Sequence, residues 1–409
     1  MPRRLLRWIG LLIVTTLASA AAVLPALATP WPGGAENSIS ISGASSDLSG
    51  ATWNPVSESL WVVRQNRQVW EYSYDSPSST YTLVQTVVLP SGIGSDIEAV
   101  AQVDPTIRDE LYTLDEDNGR IARTIDVGGT PIVLHTWNLE VLNNGNALPA
   151  ETNLNGAEAL EFVPDADLLA NGFRYPDGKT FSGSTKGMGG LFFVGHQISG
   201  RLHVFDVNPG RSEDFINHGS FSTSANEIAA LHFDRTSGLM LVWHNTPPNN
   251  TLEISTLSSD GSAGKIDTLE LYDTSMPTGN LEGLAVVGRG SCGRFGSAND
   301  ERSLFFTSDG VSPYLVYYDQ YPCDCTGSAN ETEFDACFVQ GDLSGGCSCL
   351  DQDTDGDIDC GDFMPPLAQR CVGAPVPTIA PSTRALLGLI LMASAIPLIA
   401  RRILRRPGT

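Results

Sequence analysis

Cysteine is missing from everything before Cys292; the eight cysteines of this 409-residue chain all fall between Cys292 and Cys371. The long stretch before them folds without disulfides of its own. The clustered, even set implies disulfides stapling a small unit in an oxidising compartment. Zinc is the competing reading. However, the spacings Cys323-Asp324-Cys325 and Cys347-Ser348-Cys349 are one residue tighter than the usual zinc pair, and no His follows. Charge is scarce as well, at 17% of residues, and positive charge scarcest: Lys+Arg number 24 against 47 Asp+Glu, a net −23. Such a body repels nucleic acid, which is excluded as a partner, and favours hard cations such as calcium. Nor is there a Gly-x-Ser-x-Gly elbow, a His-Glu-x-x-His pair or a phosphate-cradling Gly/Lys loop. The run Gly183-Ser184-Thr185-Lys186-Gly187 lacks the spacing of a phosphate loop and reads as a flexible surface segment.

Glycine and proline are plentiful, which suits an all-β chain with many turns. Arg3, Arg4 and Arg7, an apolar run from Trp8 to Leu24 and Ala26-Leu27-Ala28 form a secretory signal peptide, residues 1–28, cut after Ala28. An uncleaved anchor is the alternative. Strict alternation over residues 38–42 then suggests a lone strand.

Five repeats follow. They open at Asp47-Leu48-Ser49-Gly50-Ala51, Asp96-Ile97-Glu98-Ala99-Val100, Gly156-Ala157-Glu158-Ala159-Leu160, Ile228-Ala229-Ala230-Leu231 and Asn280-Leu281-Glu282-Gly283-Leu284. Each continues into an apolar run ending in a polar residue, such as Leu60-Trp61-Val62-Val63 or Leu304-Phe305-Phe306-Thr307. A period of roughly 50 to 70 residues is the scale of one propeller blade of three or four strands. The expectation is a β-propeller over residues 38–322, with five blades, or six if one repeat has decayed. The lone strand would supply the missing outer strand of the last blade and latch the ring. Residues 175–190 read as an insertion loop in the third blade. Trp53, Trp61, Trp70 and Phe192 read as core.

The opening phrases resemble those of the SdiA-regulated proteins and the related phytase-like (esterase-like) secreted propellers, where Asp-x-Glu-Gly/Ala-Leu/Ile-Ala recurs at blade starts. The likeness covers roughly residues 44–320. It departs at Ser49 and Ala229, where the other repeats carry Glu. The resemblance implies a secreted or periplasmic propeller, often with a bound cation.

Beyond the propeller, residues 323–371 form a Cys-rich segment. In it Asp351, Asp353, Asp355, Asp359 and Asp362 fall at positions 1, 3, 5, 9 and 12 of a loop with Gly356 at the turn and Ile358 as anchor. Calcium needs six to eight oxygens around such a turn, and Asp357 would offer its carbonyl. The loop resembles those of dockerins and thrombospondin type 3 repeats; Pro365-Pro366 stands where a dockerin's exit helix would run. A Pro/Ala linker, residues 372–383, leads to an apolar run and basic tail, residues 384–409. That end resembles a PEP-CTERM sorting signal, with Ala380 where Glu is expected before Pro381. It implies contact with a C-terminal processing machinery and with the membrane through a C-terminal helix; a plain membrane anchor is the alternative. Either places the protein at the cell envelope.

In a propeller the innermost strand starts, and the next one ends, on one face of the disc. Glu98, Glu158 and Glu282 at the starts, with Gln65, Glu116, His196, His244 and Asp309 at the ends, should gather at one mouth of the central channel. Such a set can hold a divalent cation or a polar ligand. The competing reading is that the glutamates cap backbone amides and the histidines are structural; His135, His203, His218 and His232 are read as structural. A binding propeller is favoured. The alternative is a metal-dependent esterase or phosphoesterase acting at the mouth.

Overall fold

In the computed structural model, residues 29–323 are described, apart from residues 32, 40–46, 128, 153–155, 236, 247–249, 258–263, 275–279, 289–290, 299–300 and 311. The signal segment, the acidic loop at 351–362, the cysteines beyond Cys323 and the apolar tail lie outside the described residues.

The chain is a five-bladed β-propeller. Two short strands come first, β1 (Thr29–Pro30) and β2 (Glu36–Ser38). Blade one is β3 (Leu48–Asn54), β4 (Ser59–Arg64), β5 (Gln68–Asp75) and β6 (Thr80–Val88). Blade two is β7 (Ile97–Ala101), β8 (Glu110–Asp115), β9 (Arg120–Asp126) and β10 (Pro131–Asn138). Blade three is β11 (Ala157–Pro164), β12 (Gly190–His196), β13 (Arg201–Val207) and β14 (Phe215–Ser222). Blade four is β15 (Ile228–Asp234), β16 (Leu239–His244), β17 (Asn250–Thr256) and β18 (Asp267–Thr274). Blade five is β19 (Leu281–Val286), β20 (Glu301–Ser308) and β21 (Leu315–Pro322), completed by β2.

Burial falls from axis to rim. The innermost strands β3, β7 and β15 are buried at every position, whereas β6 on the outside is mostly exposed. An inner strand packs a neighbouring blade on each face, so both of its faces must be apolar. The core accordingly divides into five clusters, one between each pair of adjacent blades. Trp53 and Phe305 stack across the seam between blades five and one, and Trp61, Trp70 and Phe192 are also core.

Ring closure uses the N-terminal strand as expected, two residues earlier than the alternation suggests. Glu36–Ser38 pairs antiparallel with β21, and the Ile39 amide adds a bond to the Leu315 carbonyl at 3.0 Å. A second latch was not anticipated: Thr29–Pro30 pairs parallel with β18 at the outer edge of blade four, where a proline is tolerated. The 175–190 region is not loose either. It follows α1 (Asp165–Ala170), and Phe173 and Phe181 plug into the cluster between blades three and four. The glycine-rich run is held as well. The Ser184 amide donates to Asp165 (3.1 Å) and the Thr185 amide to Asp206 (2.6 Å). Cys292 and Cys323 form a disulfide.

Candidate functional site

In all five blades the amide just past the second strand donates to the carbonyl just before the first. The pairs are Gln65 to Asp47, Glu116 to Asp96, Gln197 to Gly156, Asn245 to Glu227 and Asp309 to Asn280, at 2.8–3.3 Å. Further amides link one blade to the next: Asp47 to the Asp309 carbonyl (3.0 Å), Ile97 to Gln65 (3.0 Å) and Glu227 to Gln197 (2.6 Å). These bonds fix one end of the channel and define which residues are equivalent around it.

Just inside this ring every innermost strand carries a β-bulge. Glu98, Glu158, Ala229 and Glu282 are each skipped by the ladder, as are Ser49 and Gly50 in blade one. A bulged residue is left unpaired and its side chain re-aimed. Here each re-aimed residue lines the channel: Glu98, Glu158 and Glu282 border one cavity with Gly50 and Ala229, and its free volume is about 10 Å³. That is room for a water or a single ion. The close approach needs glycine. A Cβ on Gly283 would lie 2.4 Å from the Ser49 carbonyl oxygen, and one on Gly50 2.6 Å from the Ala99 Cα.

The carboxyls at this end contact one another. Glu158 hydrogen-bonds Glu116, and Asp96 hydrogen-bonds Glu98. Two carboxyls meet this way only by sharing a proton or bridging a cation. Burial, then the charges of Glu282, Asp96 and Glu116, push Glu98 well above the usual carboxylate range, with the Ser49 hydroxyl opposing. Burial, then Glu98, Glu116 and Glu282, do the same to Glu158. Burial, then Asp309 and Glu116, lift Glu282 to about 9 against a hydrogen bond from Asn280. Positive charge reaches the ring through Arg64, which is taken up by Asp47 at 3.2 Å.

An oxygen each from Asp96, Glu98 and Glu116 lies within 4.8 Å of the other two. Ligands on opposite sides of a calcium ion, each 2.3–2.6 Å away, stand about this far apart. The donor set is all oxygen, as calcium requires, and Glu158 adjoins it through Glu116. The residues present fit a hard divalent cation.

The structure brings Glu98, Glu116, Glu158 and Glu282 together, with Asp309 on the rim beside Asn280 and Asp47. It does not bring His196 and His244 there. Both sit one residue before the rim position, which Gln197 and Asn245 hold. In a strand a one-residue step turns the side chain to the other face. His244 therefore lies inside its blade, its Nε2 2.8 Å from Glu253 and its Nδ1 3.2 Å from the Asn226 carbonyl. His196 is buried with its ring 6.3 Å from that of His203, and burial lowers its pKa. His232 lies 3.8 Å from Glu161. Burial drops His232 to about 4 and lifts Glu161 to about 7, so near neutrality the contact is not a full ion pair.

Sequence reasoning missed Asp47, Asp96, Gln197, Asn245 and Asn280 as mouth residues. Their signal was a constant offset: two before the bulge residue, or one past the second strand. Asp351, Asp353, Asp355, Asp357, Asp359 and Asp362 lie outside the described residues.

No protein-family model matches the chain, and no curated protein matches it. Solved structures do. One is a protein from Lactobacillus plantarum (17% identity, 55% of each chain, TM-score 0.33). Another belongs to a nidogen/laminin complex (10% identity, 67% of this chain and 76% of that one, TM-score 0.35). A third is the Cps50 (Swd1) β-propeller domain of Myceliophteria thermophila (8% identity, 68% and 85%, TM-score 0.36). The chain thus spans about half the length of the Lactobacillus plantarum protein. At these values the likenesses say nothing of function, and the blade count rests on the strand pairing above.

Proposed function

We propose that this is an exported, envelope-associated binding propeller of the SdiA-regulated/phytase-like kind. It holds a calcium ion at the acidic mouth and presents a polar ligand or envelope component to it. The carrying observation is the set of carboxyls in contact at the mouth: Asp96 with Glu98, Glu116 with Glu158, and an oxygen each of Asp96, Glu98 and Glu116 within 4.8 Å of the other two. A buried carboxylate group of this kind is costly unless neutralised, and a divalent cation neutralises it. When bound, the ion would supply a Lewis-acidic centre. The chain's own residues position it, through bulges that aim the glutamates and glycines that let the strands close in.

Topology supports display. β21 runs from the mouth end at Leu315 to Pro322 on the far face, where Cys323 is tied to Cys292. Cys323, the last described residue, thus lies on the face opposite the mouth. The loop at 351–362 would hold a second calcium.

The metal-dependent esterase or phosphoesterase reading would use the same cation. The Ser49 hydroxyl contacts Glu98, and the free volume between Glu98, Glu158 and Glu282 is about 10 Å³, room for a water or one ion. Calorimetry on the full chain in mild detergent tests the binding reading. Calcium should titrate two classes of site, one lost in Glu98→Gln/Glu158→Gln and the other in Asp353→Ala/Asp355→Ala. If the glutamate pair leaves the titration unchanged, the mouth does not bind the ion. Calcium-dependent turnover of an aryl ester or phosphoester, abolished by Glu158→Gln, would favour the enzyme.

A further inference from the structure

The outer edges of four blades are closed, each in its own way. On blade two a loop takes up the edge of β10. The Glu213 amide donates to the Thr136 carbonyl at 3.0 Å, and the Thr136 amide to the Ser212 hydroxyl at 3.2 Å. On blade three the Asn143 Nδ2 donates to the Phe215 carbonyl of β14 at 2.9 Å, and the Ser222 amide to the Gly264 carbonyl at 2.7 Å. β1 covers β18 on blade four. On blade five the outermost strand is β2, three residues long and opening on Glu36. A short, charged edge is its own guard.

Blade one differs. Its outer strand β6, Thr80–Val88, runs for nine residues and pairs with β5 on one side. Among the described residues no strand or loop hydrogen-bonds its backbone on the other side. Leu83, Val84 and Val88 stand 38%, 48% and 60% exposed along it. Thr and Val hold six of its nine positions, and β-branched residues keep a strand extended and ready to pair. The usual guards of such an edge are lysine, proline and a bulge. Within β6 there is only the last, at Val84, between the pairs Glu71–Gln85 and Tyr72–Leu83. From Ser76 to Ser95 there is no Asp, Glu, Lys or Arg at all, in a chain of net charge −23.

We infer that β6 pairs with β6 of a second copy of this chain, antiparallel across a two-fold axis, so that two four-stranded blades become one continuous sheet. Charge decides the occupant. Two copies of so acidic a chain repel wherever their carboxylates face each other, and the uncharged strip is where they can close. An antiparallel pair of identical strands is also self-complementary: both open edges are satisfied at once. Each copy offers one such edge among the described residues, so pairing stops at two. Full-length pairing sets Val84, the midpoint of the strand, beside the partner subunit's Val84. Thr and Val side chains then flank the axis, a favourable cross-strand set. One strand pair buries less than the ~1,600 Å² of a standard interface, so the dimer is concentration-dependent. The inference is independent of the cation at the mouth.

The test is density-matched sedimentation equilibrium of the full chain in mild detergent, over a wide range of protein concentration. The parent should pass from monomer to dimer and no further. Val84→Lys, at an exposed position, sets like charges against each other and should weaken association on the order of 10-fold or more, as should Val84→Glu. Mixed in equal amounts, the two variants should associate again, because position 84 then meets its opposite charge. Should either variant not fold, Thr82→Lys and Thr86→Glu, exposed and opposite each other about the same axis, carry the test with the same expectation. Hydrogen exchange reads the contact itself: β6 amides should slow as the parent is concentrated, and should not in Val84→Lys. A parent that stays monomeric, or that assembles past the dimer, overturns the inference. A dimer that survives Val84→Lys overturns it too, since the contact then lies elsewhere. So does an association lost in both variants and not restored by mixing them, since β6 then meets some other surface.

Discussion

Replacing Glu282 by glutamine removes one ionisable carboxyl from the mouth while keeping an oxygen to accept the Asn280 hydrogen bond. Burial, Asp309 and Glu116 hold the Glu282 pKa at about 9, far above its ordinary 4.5. A raised carboxyl pKa means that the folded chain keeps a proton the unfolded chain has lost. In the absence of cation, stability is therefore greatest at and below about pH 4.5, and it falls as pH rises towards 9. The slope for one such group is at most about 1.4 kcal/mol per pH unit, so by pH 8 the upper bound is about 5 kcal/mol. Water at the half-buried rim and proton sharing among the carboxyls reduce this, and ~2 kcal/mol is the working figure. For a domain of this size each kcal/mol moves the melting temperature by about 2–4 °C. Glu282→Gln in chelator should then melt ~4–8 °C above the parent at pH 8 and level with it at pH 4.5. Calcium should reverse the order at pH 8. Saturation at about 100 times Kd stabilises the parent by roughly 2.7 kcal/mol, and the variant, having lost an attracting charge, gains less. Differential scanning calorimetry from pH 4.5 to 9, with and without calcium, reads all four quantities. A melting difference that stays flat across that range, or a variant less stable in chelator at pH 8, would refute the reasoning.

Other consequences are simpler to measure. Glu253 is buried, which raises its pKa, but His244, Ser224 and Thr268 outweigh this and hold it at about 2. Its contribution is present above about pH 4.5 and lost as pH falls towards 2, and Glu253→Ala should cost ~3–5 kcal/mol in urea unfolding without altering calcium affinity. Gly283→Ala places a methyl 2.4 Å from the Ser49 carbonyl oxygen; overpacking of that order costs about 1–3 kcal/mol and should lower the urea midpoint. Removing residues 29–39 takes away both latches, β1 and β2, and should turn a sharp unfolding transition into a broad one, with blade five losing amide protection first in hydrogen exchange.

Much of the fold could be read in the chain because blades repeat. The phrase around Glu98, Glu158 and Glu282 marks the same bulge in three blades, and the apolar runs after it mark strands buried on both faces. What could not be read was register. Nothing in Leu191-Phe192-Phe193-Val194-Gly195-His196 says whether His196 or Gln197 turns to the axis, because the strand end is set by a backbone bond to Gly156 that only pairing reveals. The latch at Thr29–Pro30 was hidden for a related reason: two residues carry no periodicity, and their partner Tyr272 lies far along the chain. The bulges were hidden too, since an extra residue in one strand shows only against the strand beside it.

The account stands on a cation held at the mouth by the blade-two carboxyls Asp96, Glu98 and Glu116, with Glu158 of blade three beside them. Anomalous diffraction from crystals soaked in manganese or a lanthanide, as stand-ins for calcium, addresses that directly. The account predicts a peak within coordination distance of Asp96, Glu98 and Glu116, absent from Glu98→Gln/Glu158→Gln crystals. A mouth without a peak in the soaked parent, or Glu98, Glu158 and Glu282 lying apart on separate faces, would contradict it.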